Sequence, residues 1–446
     1  MGTLTRRTPV VCGIDIGSTN TKVVALDETG RVVARAKRAT ARNPSDLSID
    51  THVLFDAIEE MIVQACATEY SVSAVSAAGV GEDGVLVDET ITALGRVLAW
   101  FDPRRVGLFQ QLLPQLPEAD QLCVATDPAR TLVGWYWARQ QPGVEQATQW
   151  VTLTDFAAAR WTGTAFISDT LAARTAAWQS HTRQWLPDRV QVTLGDPALL
   201  PPVVRTGDVV GPLVSARLTQ AGVLAPGAVA VAGGHDHPIG GWGVNQFHPG
   251  AILDSMGTAE VVVAQSPIPN VPRSNHVDVA PGIRAAGTTL LRVEELARNI
   301  EWASQSPAVG EVLRRIIDGS VPPNSFLTSS TFIPGTPGGG RPRYTTDAPA
   351  DPVSRASAVA GALAQCGADA VAAVAAHMPE GAPVFAAGGW SRSPGWVQVK
   401  EMISGSEVTV IPEPEVTAVG AALLAARAID WKASPQIALS LREAAL

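Results

Sequence analysis

A strand, glycine turn and strand follow one another twice in this chain, once near the N-terminus and once past the midpoint. In the first copy, the apolar residues Val10 to Cys12 and Ile14 lead into Asp15-Ile-Gly-Ser-Thr-Asn-Thr-Lys22, and an apolar run follows. In the second, Ala251-Ile-Leu-Asp254 leads into Ser255-Met-Gly-Thr258, and Val261-Val-Val-Ala264 follows. Small residues and valines are common in this chain, so the match could also arise by chance. Taken as a repeat, it predicts two related α/β halves that face each other.

The length of the chain supports a division into two domains. At 446 residues, it exceeds what a single hydrophobic core normally accommodates. We place the boundary in the polar, glycine-bearing stretch from Gly240 to Gly250, which predicts domains at residues 1–243 and 244–446. After the first strands, apolar residues at helical spacing predict a helix from Leu54 to Cys66. The predicted fold class is therefore α/β.

Composition and charge narrow the class of protein. The chain is 46% hydrophobic and 17% charged, which provides enough apolar surface for substantial cores. Its net charge of −9, with no dense Lys/Arg run, argues against nucleic acid or an anionic membrane as a partner. The sequence has no run of 18 apolar residues, and Asp15 and Lys22 interrupt any signal-peptide stretch. We expect a soluble, cytoplasmic protein whose four cysteines are buried free thiols.

One acidic residue, Asp236, stands between His235 and His237, after an apolar run and a glycine pair. A carboxylate between two phosphate-binding turns suits the general base of an enzyme that transfers a phosphoryl group to a hydroxyl. The adjacent histidines would then be positioned to touch the substrate. The alternative is that Asp236 only caps a helix that begins near Pro238, because Asp is a good N-cap and Pro suits the first turn. The local sequence is compatible with both.

The glycine turns are candidates for binding a nucleotide. Glycine lets the backbone approach a phosphate group closely, so that N–H groups can donate hydrogen bonds to it. Hydroxyl side chains in the turns add donors, and a lysine adds positive charge, although Lys22 could equally point to solvent. Asp15 is placed to hold Mg²⁺ through water, since Mg²⁺ prefers one or two carboxylates. The predicted nucleotide-binding residues in these turns are Gly17, Ser18, Thr19, Lys22, Gly257, Thr258, Gly388 and Gly389.

A third cluster suits the binding of a polyol. Carboxylates accept hydrogen bonds from neighbouring hydroxyl groups, and an aromatic face packs on C–H groups. Glu82 and Asp83 lie in one glycine-flanked turn, and Trp100 and Asp102 lie in Ala99-Trp-Phe-Asp-Pro-Arg104. The alternative interpretation is a surface turn together with a core tryptophan, which is the more common origin of such patterns.

Together these motifs resemble the FGGY carbohydrate kinases in number and order. The resemblance covers nearly the whole chain and implies the actin-like fold, with two domains of ribonuclease H type flanking a deep cleft. The matching segments are Gly13 to Lys22, Trp100 to Arg104, Asp155 with Arg160 to Gly163, Ser168 to Thr170, Gly234 to Asp236, Ser255 to Thr258, Phe332 to Pro334, Gly340 to Pro342, Ala387 to Gly389 with Ser391, Ser393 and Gln398, and Glu415 to Ala422.

The resemblance also implies roles for residues. Asp236 would be the catalytic base and, with Asp15, a ligand of Mg²⁺. His235 and Asp236 would contact the sugar, and Ser393 would bind ATP. The turn Gly81-Glu-Asp-Gly84 departs from the Gly-Gln-Met-His-Gly of xylulokinases and the Asn-Gln-Arg-Glu-Thr of glycerol kinases. We therefore expect a substrate other than D-xylulose or glycerol bound in the usual way, and Trp390 is expected to change how the nucleotide packs.

The predicted function is ATP-dependent phosphorylation of a ketose or polyol on a terminal hydroxyl. The partners expected are a small sugar or polyol and ATP, with a homodimer as one candidate assembly and with neither nucleic acid nor membrane. A non-catalytic sugar-sensing protein on the same fold is the alternative, but a degenerate kinase would be expected to lose the base or the phosphate turns. An actin- or chaperone-like ATPase would use water as the acceptor, which the Trp100 element disfavours.

Overall fold

The computed structural model describes residues 7–274, 277–337 and 340–441. The first half of this part of the chain is built around one six-stranded sheet, with short two-stranded sheets beside it. The strands of this half are Thr8–Ile16 (β1), Asn20–Leu26 (β2), Val32–Ala39 (β3), Tyr70–Gly79 (β4), Gly84–Val87 (β5), Gln149–Thr152 (β6), Ile167–Ser168 (β7), Trp178–Gln179 (β8), Gln184–Trp185 (β9), Val203–Val204 (β10), Val209–Pro212 (β11) and Leu224–His235 (β12).

A second six-stranded sheet organises the second half. Helices from both halves pack against the two sheets. The remaining strands are Ile252–Met256 (β13), Ala259–Ser266 (β14), Asp278–Pro281 (β15), Thr288–Glu295 (β16), Phe332–Ile333 (β17), Arg343–Tyr344 (β18), Val384–Ala387 (β19) and Thr409–Val410 (β20). The helices are Thr51–Cys66 (α1), Arg104–Leu112 (α2), Thr131–Ala138 (α3), Leu153–Thr162 (α4), Asp169–Ala172 (α5), Pro187–Thr193 (α6), Ala216–Gln220 (α7), Asp236–Phe247 (α8), Ala297–Ser304 (α9), Pro307–Ile317 (α10), Pro352–Ala375 (α11), Pro394–Ser404 (α12), Val416–Ala428 (α13) and Pro435–Ala438 (α14).

Five strands of each large sheet share one order, and the sixth strand lies at opposite edges, with β11 beside β12 in the first sheet and β15 beside β16 in the second. In the first, the order is β11-β12-β4-β1-β2-β3, with β1, β2 and β3 antiparallel and with β4 and β12 parallel to β1. In the second, the order is β15-β16-β14-β13-β19-β20, and β13, β14, β16, β19 and β20 repeat the same senses. The predicted α/β fold with two similarly built halves is therefore confirmed, and both copies of the strand, glycine turn and strand pattern form antiparallel hairpins.

Helices α8 and α13 lie between the two sheets. Each helix follows a strand of one sheet and packs mainly on the other sheet. Helix α8 follows β12 of the first sheet and packs on β13 and β14 of the second. Helix α13 follows β20 of the second sheet and packs on β1 and β4 of the first. Their buried side chains join one apolar cluster with the facing sides of both sheets. The halves are thus joined by an exchange of helices.

The glycine-bearing stretch from Gly240 to Gly250, in which we placed the domain boundary, is mostly helix. Residues 240–247 form the last two turns of α8. The glycines serve close packing: a Cβ at Gly241 would lie 2.8 Å from a methyl of Val263, and one at Gly243 would lie 3.0 Å from the Cα of Gly420. The position of the domain boundary itself stays a prediction.

Helix α11 is the helix that, in the described ranges, is long and apolar enough to cross a membrane by length and composition. Half of its most apolar window is buried. It packs against β14 and β16 and against helices α10 and α12. We therefore interpret α11 as a core helix of the second half, for which the same length and composition are expected.

Candidate active site

Asp236 is the first residue of α8, at the carboxyl end of β12. The N-cap position is held by His235, so the interpretation of Asp236 as the N-cap is wrong by one residue. Its Oδ1 accepts a hydrogen bond of 2.7 Å from the backbone N–H of His237, and its side chain is 20% exposed. A carboxylate in the first turn of a helix is favoured by the helix dipole, which stabilises its charged form.

His235 is buried beside this carboxylate. Its Nε2 lies 3.3 Å from Asp236 Oδ1, and its backbone N–H donates to Thr170 Oγ1 at 3.2 Å. Burial lowers the pKa of His235 well below 6.5, and the nearby positive charges of Arg174 and Arg130 lower it further, as does His237. The ring is therefore neutral at physiological pH and can donate one hydrogen bond and accept another.

Asp15 lies at the end of β1, on the side of the sheet that faces α13. Its register partner Ala78 is in turn paired with Gly234, so Asp15 and the end of β12 are about 10 Å apart, with one strand between them. Burial raises the pKa of Asp15, Lys22 opposes this, and the Asp236 carboxylate raises it again. Asp15 and Asp236 are thus close enough to influence each other electrostatically.

Lys22 does not point freely into solvent. Its Nζ lies 3.0 Å from Asp15 Oδ2 and 2.8 Å from Glu415 Oε2, and its side chain is 24% exposed. Glu415 immediately precedes α13, so this ammonium group joins the β1–β2 hairpin to the helix that crosses from the second half. The sequence offered no signal for this pairing, because the partners are almost a whole chain apart.

The first glycine turn contacts the predicted sugar element. The turn closes with a 3.1 Å bond from the Gly17 N–H to the Asn20 carbonyl, and Thr19 is exposed at its tip. The Oγ of Ser18 accepts a hydrogen bond of 3.0 Å from Trp100 Nε1. A predicted phosphate-binding residue and a predicted sugar-binding residue are therefore direct neighbours.

The second glycine turn lies against the third glycine segment. Gly257 and Thr258 join β13 to β14, and Thr258 is exposed at the tip. Gly388 has a φ of +91°, and a Cβ there would lie 2.3 Å from the Met256 carbonyl oxygen, so only glycine fits. Gly389 is exposed beside it, and Ser393 is the N-cap residue of α12. The predicted nucleotide residues of the second half thus share one surface.

Trp390 takes part in the packing of this segment. Its ring meets that of Trp396 on α12 edge to face, with the centroids 6.2 Å apart. The expected effect of Trp390 on nucleotide packing stays a prediction.

The turn that carries Glu82 and Asp83 is buried, so its interpretation as a surface turn is wrong. Glu82 Oε1 accepts bonds from Arg174 Nε and Nη2 at 2.8 and 2.7 Å. Within the described residues, neither carboxylate oxygen of Asp83 makes a hydrogen bond of normal geometry. Burial raises the pKa of Asp83 to about 7 against the opposing charges of Arg105 and Arg42, and the Trp100 backbone N–H lowers it slightly. Its ion-pair partner is Arg105, whose Nη2 lies 3.7 Å from Asp83 Oδ1, so the carboxylate keeps its capacity to accept hydrogen bonds.

Trp100 and Asp102 differ in how open they are. Trp100 is 37% exposed, so its interpretation as a core tryptophan is wrong. The Asp102 carboxylate is buried and is held by Arg104, through Nη2 to Oδ2 at 2.7 Å and through Nε to Oδ1 at 3.0 Å. Trp100 therefore offers an accessible aromatic face, whereas Asp102 is already paired.

Two buried arginines beside His235 were not predicted. Arg174 Nη1 donates to Asp278 Oδ2 at 3.1 Å, and Arg130 Nη2 lies 3.5 Å from the same oxygen. Asp278 belongs to β15 of the second sheet, so these pairs connect the two halves next to Glu82. Arg174 stands alone in the apolar run Leu171-Ala-Ala-Arg-Thr-Ala-Ala-Trp178, which is the one signal that could have indicated a paired, buried charge.

The part of the chain that the structure describes contains no group of three or more His, Cys, Asp or Glu side chains arranged to hold a metal ion. Two carboxylates, Asp15 and Asp236, nevertheless fit Mg²⁺, which takes oxygen ligands and keeps several waters. The pKa of Asp15 is raised mainly by burial and further by the Asp236 carboxylate, and a divalent cation would offset both effects.

Solved structures share the fold of this chain. The chain superposes on xylulose kinase from Rhodospirillum rubrum with a TM-score of 0.82 and 19% identity, covering 96% of this chain and 92% of the other. The fold is that of the two-domain sugar kinases. The profile of the N-terminal domain of the FGGY family of carbohydrate kinases matches residues 10–243. The chain therefore belongs to the FGGY family and is a carbohydrate kinase.

Relatives of known activity are similar to this chain in sequence. The xylulose kinase of Streptomyces rubiginosus is 28% identical over 443 residues, which cover 94% of this chain and 88% of the relative. The L-fuculokinase of Escherichia coli (strain K12) is 25% identical over 273 residues, 58% of this chain and 57% of the relative. The relatives thus differ in the sugar that they are named for.

Proposed function

We propose that this protein transfers the γ-phosphoryl group of ATP to a terminal hydroxyl of a small ketose or polyol in the cytoplasm, with Asp236 as the general base. The position of Asp236 is the observation that carries the proposal. It lies at a helix N-terminus, beside a neutral His235, and is partly open to solvent. One strand, β4, separates the end of β12 from Asp15. At this position, the carboxylate can come within hydrogen-bond reach of a bound hydroxyl.

In the proposed reaction, the acceptor oxygen attacks the γ-phosphorus, and its proton passes to a carboxylate oxygen of Asp236. The bond between the γ-phosphorus and the bridging oxygen breaks, and ADP leaves with that electron pair. Because such a transition state is loose, positioning and charge stabilisation supply most of the rate. His235, whose Nε2 is 3.3 Å from Asp236 Oδ1, would orient the carboxylate or the acceptor hydroxyl.

The glycine turns would position the phosphates. Gly17, Ser18 and Thr19 would meet them from the first half, and Gly257 and Thr258 from the second. Lys22 would act here by holding Asp15 and Glu415, a role that its two contacts favour over direct phosphate binding. The adenosine part would lie on the segment that contains Gly388, Gly389 and Ser393. Asp15 and Asp236 would hold Mg²⁺, which neutralises charge on the phosphate oxygens when bound.

The acceptor would lie beside Asp236, between the buried turn and Trp100. Asp83 has two carboxylate oxygens without normal hydrogen bonds, which suits vicinal hydroxyls of a polyol. The accessible face of Trp100 would pack on the C–H groups of the sugar. Glu82 and Asp102 are already paired with arginines, so any contact to the sugar would use their remaining lone pairs.

A coupled assay of ADP release over a panel of ketoses, polyols and deoxysugars tests the proposal. We expect at least one acceptor to accelerate turnover well above the background hydrolysis of ATP. Replacement of Asp236 by Asn should lower that acceleration by about 10²- to 10⁴-fold, while ADP still binds. Unchanged turnover in Asp236→Asn would rule out the base assignment. A panel without acceleration, despite normal ADP binding, would favour the sugar-sensing alternative.

A further inference from the structure

A buried cluster of three charged side chains lies behind the second glycine turn. Lys400 Nζ on α12 lies 2.7 Å from Asp254 Oδ2 on β13 and also makes an ion pair with Glu260 Oε1 on β14. The exposed fractions of the three side chains are 6% or less. Asp254 and Glu260 flank the turn that contains Gly257 and Thr258, so a single ammonium group fastens both strands of this hairpin to one helix.

A glycine on α11, Gly367, leaves room for the cluster. A Cβ at Gly367 of α11 would lie 1.9 Å from Glu260 Oε1 and 2.6 Å from Lys400 Nζ, so any larger residue on α11 would displace the pair. Burying charges in this way is costly unless each is paired, and replacement by apolar residues is often neutral or stabilising. The cluster therefore calls for an explanation beyond stability.

Asp254 is not a second copy of Asp15, although both precede a glycine turn. Asp15 is two residues before Gly17, and Asp254 is three residues before Gly257. Since side chains alternate between the faces of a strand, this difference of one residue turns Asp254 to the opposite face. Asp15 faces the space between the halves, whereas Asp254 faces α11 and α12.

Helix α12 makes a second contact with the hairpin, one helical turn before Lys400. Trp396, four residues before Lys400, donates its Nε1–H to Met256 Sδ at 3.2 Å. The helix follows directly on the segment with Gly388 and Ser393, and Gly388 abuts the Met256 backbone. The contacts of α12 thus set the position of the phosphate turn relative to the proposed adenosine segment.

We infer that Lys400 is a positioning residue for the nucleotide, which holds the turn of Gly257 and Thr258 in register with the segment that contains Gly388 and Ser393. The inference rests on the proposed function, because it assumes that these two segments bind the phosphates and the adenosine of one nucleotide. Lys400 itself touches neither. It acts through the hairpin and through α12, and both segments must be correctly spaced for the intact nucleotide to bind.

The charges around the cluster give the arrangement a dependence on pH. Burial and the Asp254 carboxylate raise the pKa of Glu260 to about 8, against the opposing charge of Lys400. Ionisation of Glu260 above that pH adds a buried negative charge to the cluster. The other titratable or charged groups nearby are Cys366 and Asp369 on α11 and Arg292 and Glu294 on β16.

The test uses the full chain, with ADP–Mg²⁺ and adenosine as probes, measured by calorimetry and by NMR titration. Lys400→Met should weaken ADP binding by about tenfold or more, the scale on which misplaced groups are felt, and leave adenosine binding within about twofold. Arg292→Met is the matched control, since it breaks the 2.7 Å pair with Glu294 on the same sheet and should leave both affinities unchanged.

A further variant separates positioning from charge burial. Lys400→Met combined with Asp254→Asn and Glu260→Gln removes every charge of the cluster. It should recover the urea unfolding midpoint that the single variant loses, yet keep the weakened ADP binding. Recovery of both would overturn the inference, as would equal losses for ADP and adenosine in the single variant.

If the unaltered protein does not bind ADP, the proposed function itself is wrong, whereas normal ADP binding by Lys400→Met refutes the positioning role alone.

Discussion

Replacement of Arg174 by Met should destabilise the protein more than any loss of a surface ion pair. The guanidinium group contacts Glu82 Oε1 through Nε and Nη2 at 2.8 and 2.7 Å, and Asp278 Oδ2 through Nη1 at 3.1 Å. Methionine keeps most of the aliphatic volume but leaves two carboxylates without their main partner. Because Asp278 lies on the second sheet, a link between the halves is lost as well.

The magnitude follows from burial. Removal of one partner from a buried pair typically costs about 3–5 kcal/mol in the free energy of unfolding. Glu82 and Asp278 retain side-chain exposures of 8% and 17%, and Arg130 lies 3.5 Å from an oxygen of each, so it can take over part of the pairing. We therefore expect a loss at or somewhat below the lower end of that range, about 2–3 kcal/mol.

Urea unfolding followed by tryptophan fluorescence measures this loss. The control is Arg314→Met, whose side chain is 72% exposed and pairs with the exposed Glu311 at 2.7 Å, and which should cost no more than about 1 kcal/mol. A double-mutant cycle with Glu82→Gln should give a coupling energy of about 1–3 kcal/mol with Arg174. Additive effects of the two changes, or an Arg174→Met variant as stable as the control, would refute the proposed pairing.

Three further outcomes are expected. Trp100→Ala should raise the KM for the sugar far more than the KM for ATP. Trp100→Phe should lose mainly the hydrogen bond to Ser18. Equal increases in both KM values in the alanine variant would show that Trp100 is not part of the sugar site. Because the pKa of Asp83 is raised to about 7, its contribution to stability is present at low pH and is lost as pH rises to 7; Asp83→Asn should flatten that part of the urea midpoint profile. The lowered pKa of His235 acts in the opposite sense, so stability should fall below pH 6.5, and an unchanged acid profile in His235→Gln would contradict this.

Local patterns in the sequence were sufficient to predict the two hairpins, the helix near Leu54 and the α/β class. The hairpins are specified by short apolar strands and by turn glycines within about 20 residues, so their signals do not depend on tertiary contacts. Their exact bounds depend on pairing between strands, and β3, for example, runs from Val32 to Ala39 because it pairs with β2 over that length.

Partners from distant segments could not be predicted. The pairing of Lys22 with Glu415 and that of Arg174 with Asp278 depend on which faces meet when the halves pack. The glycines of α8 had the composition of a loop, yet they permit close contact with Val263 and with α13, so tertiary packing outweighed local propensity there. The face to which Asp254 points became clear only when strand register was known.

The exchange of α8 and α13 between the sheets has a consequence for synthesis on the ribosome. The inner face of the first sheet, with Val11, Val24 and Ala74, is covered by α13, which is made after nearly all the rest of the chain. Until Val416 to Ala428 has emerged, a nascent first half exposes an apolar surface suited to aggregation or to chaperone binding. A chain that ends just before α13 would therefore leave the apolar face of β1, β2 and β4 exposed, although these strands are made first.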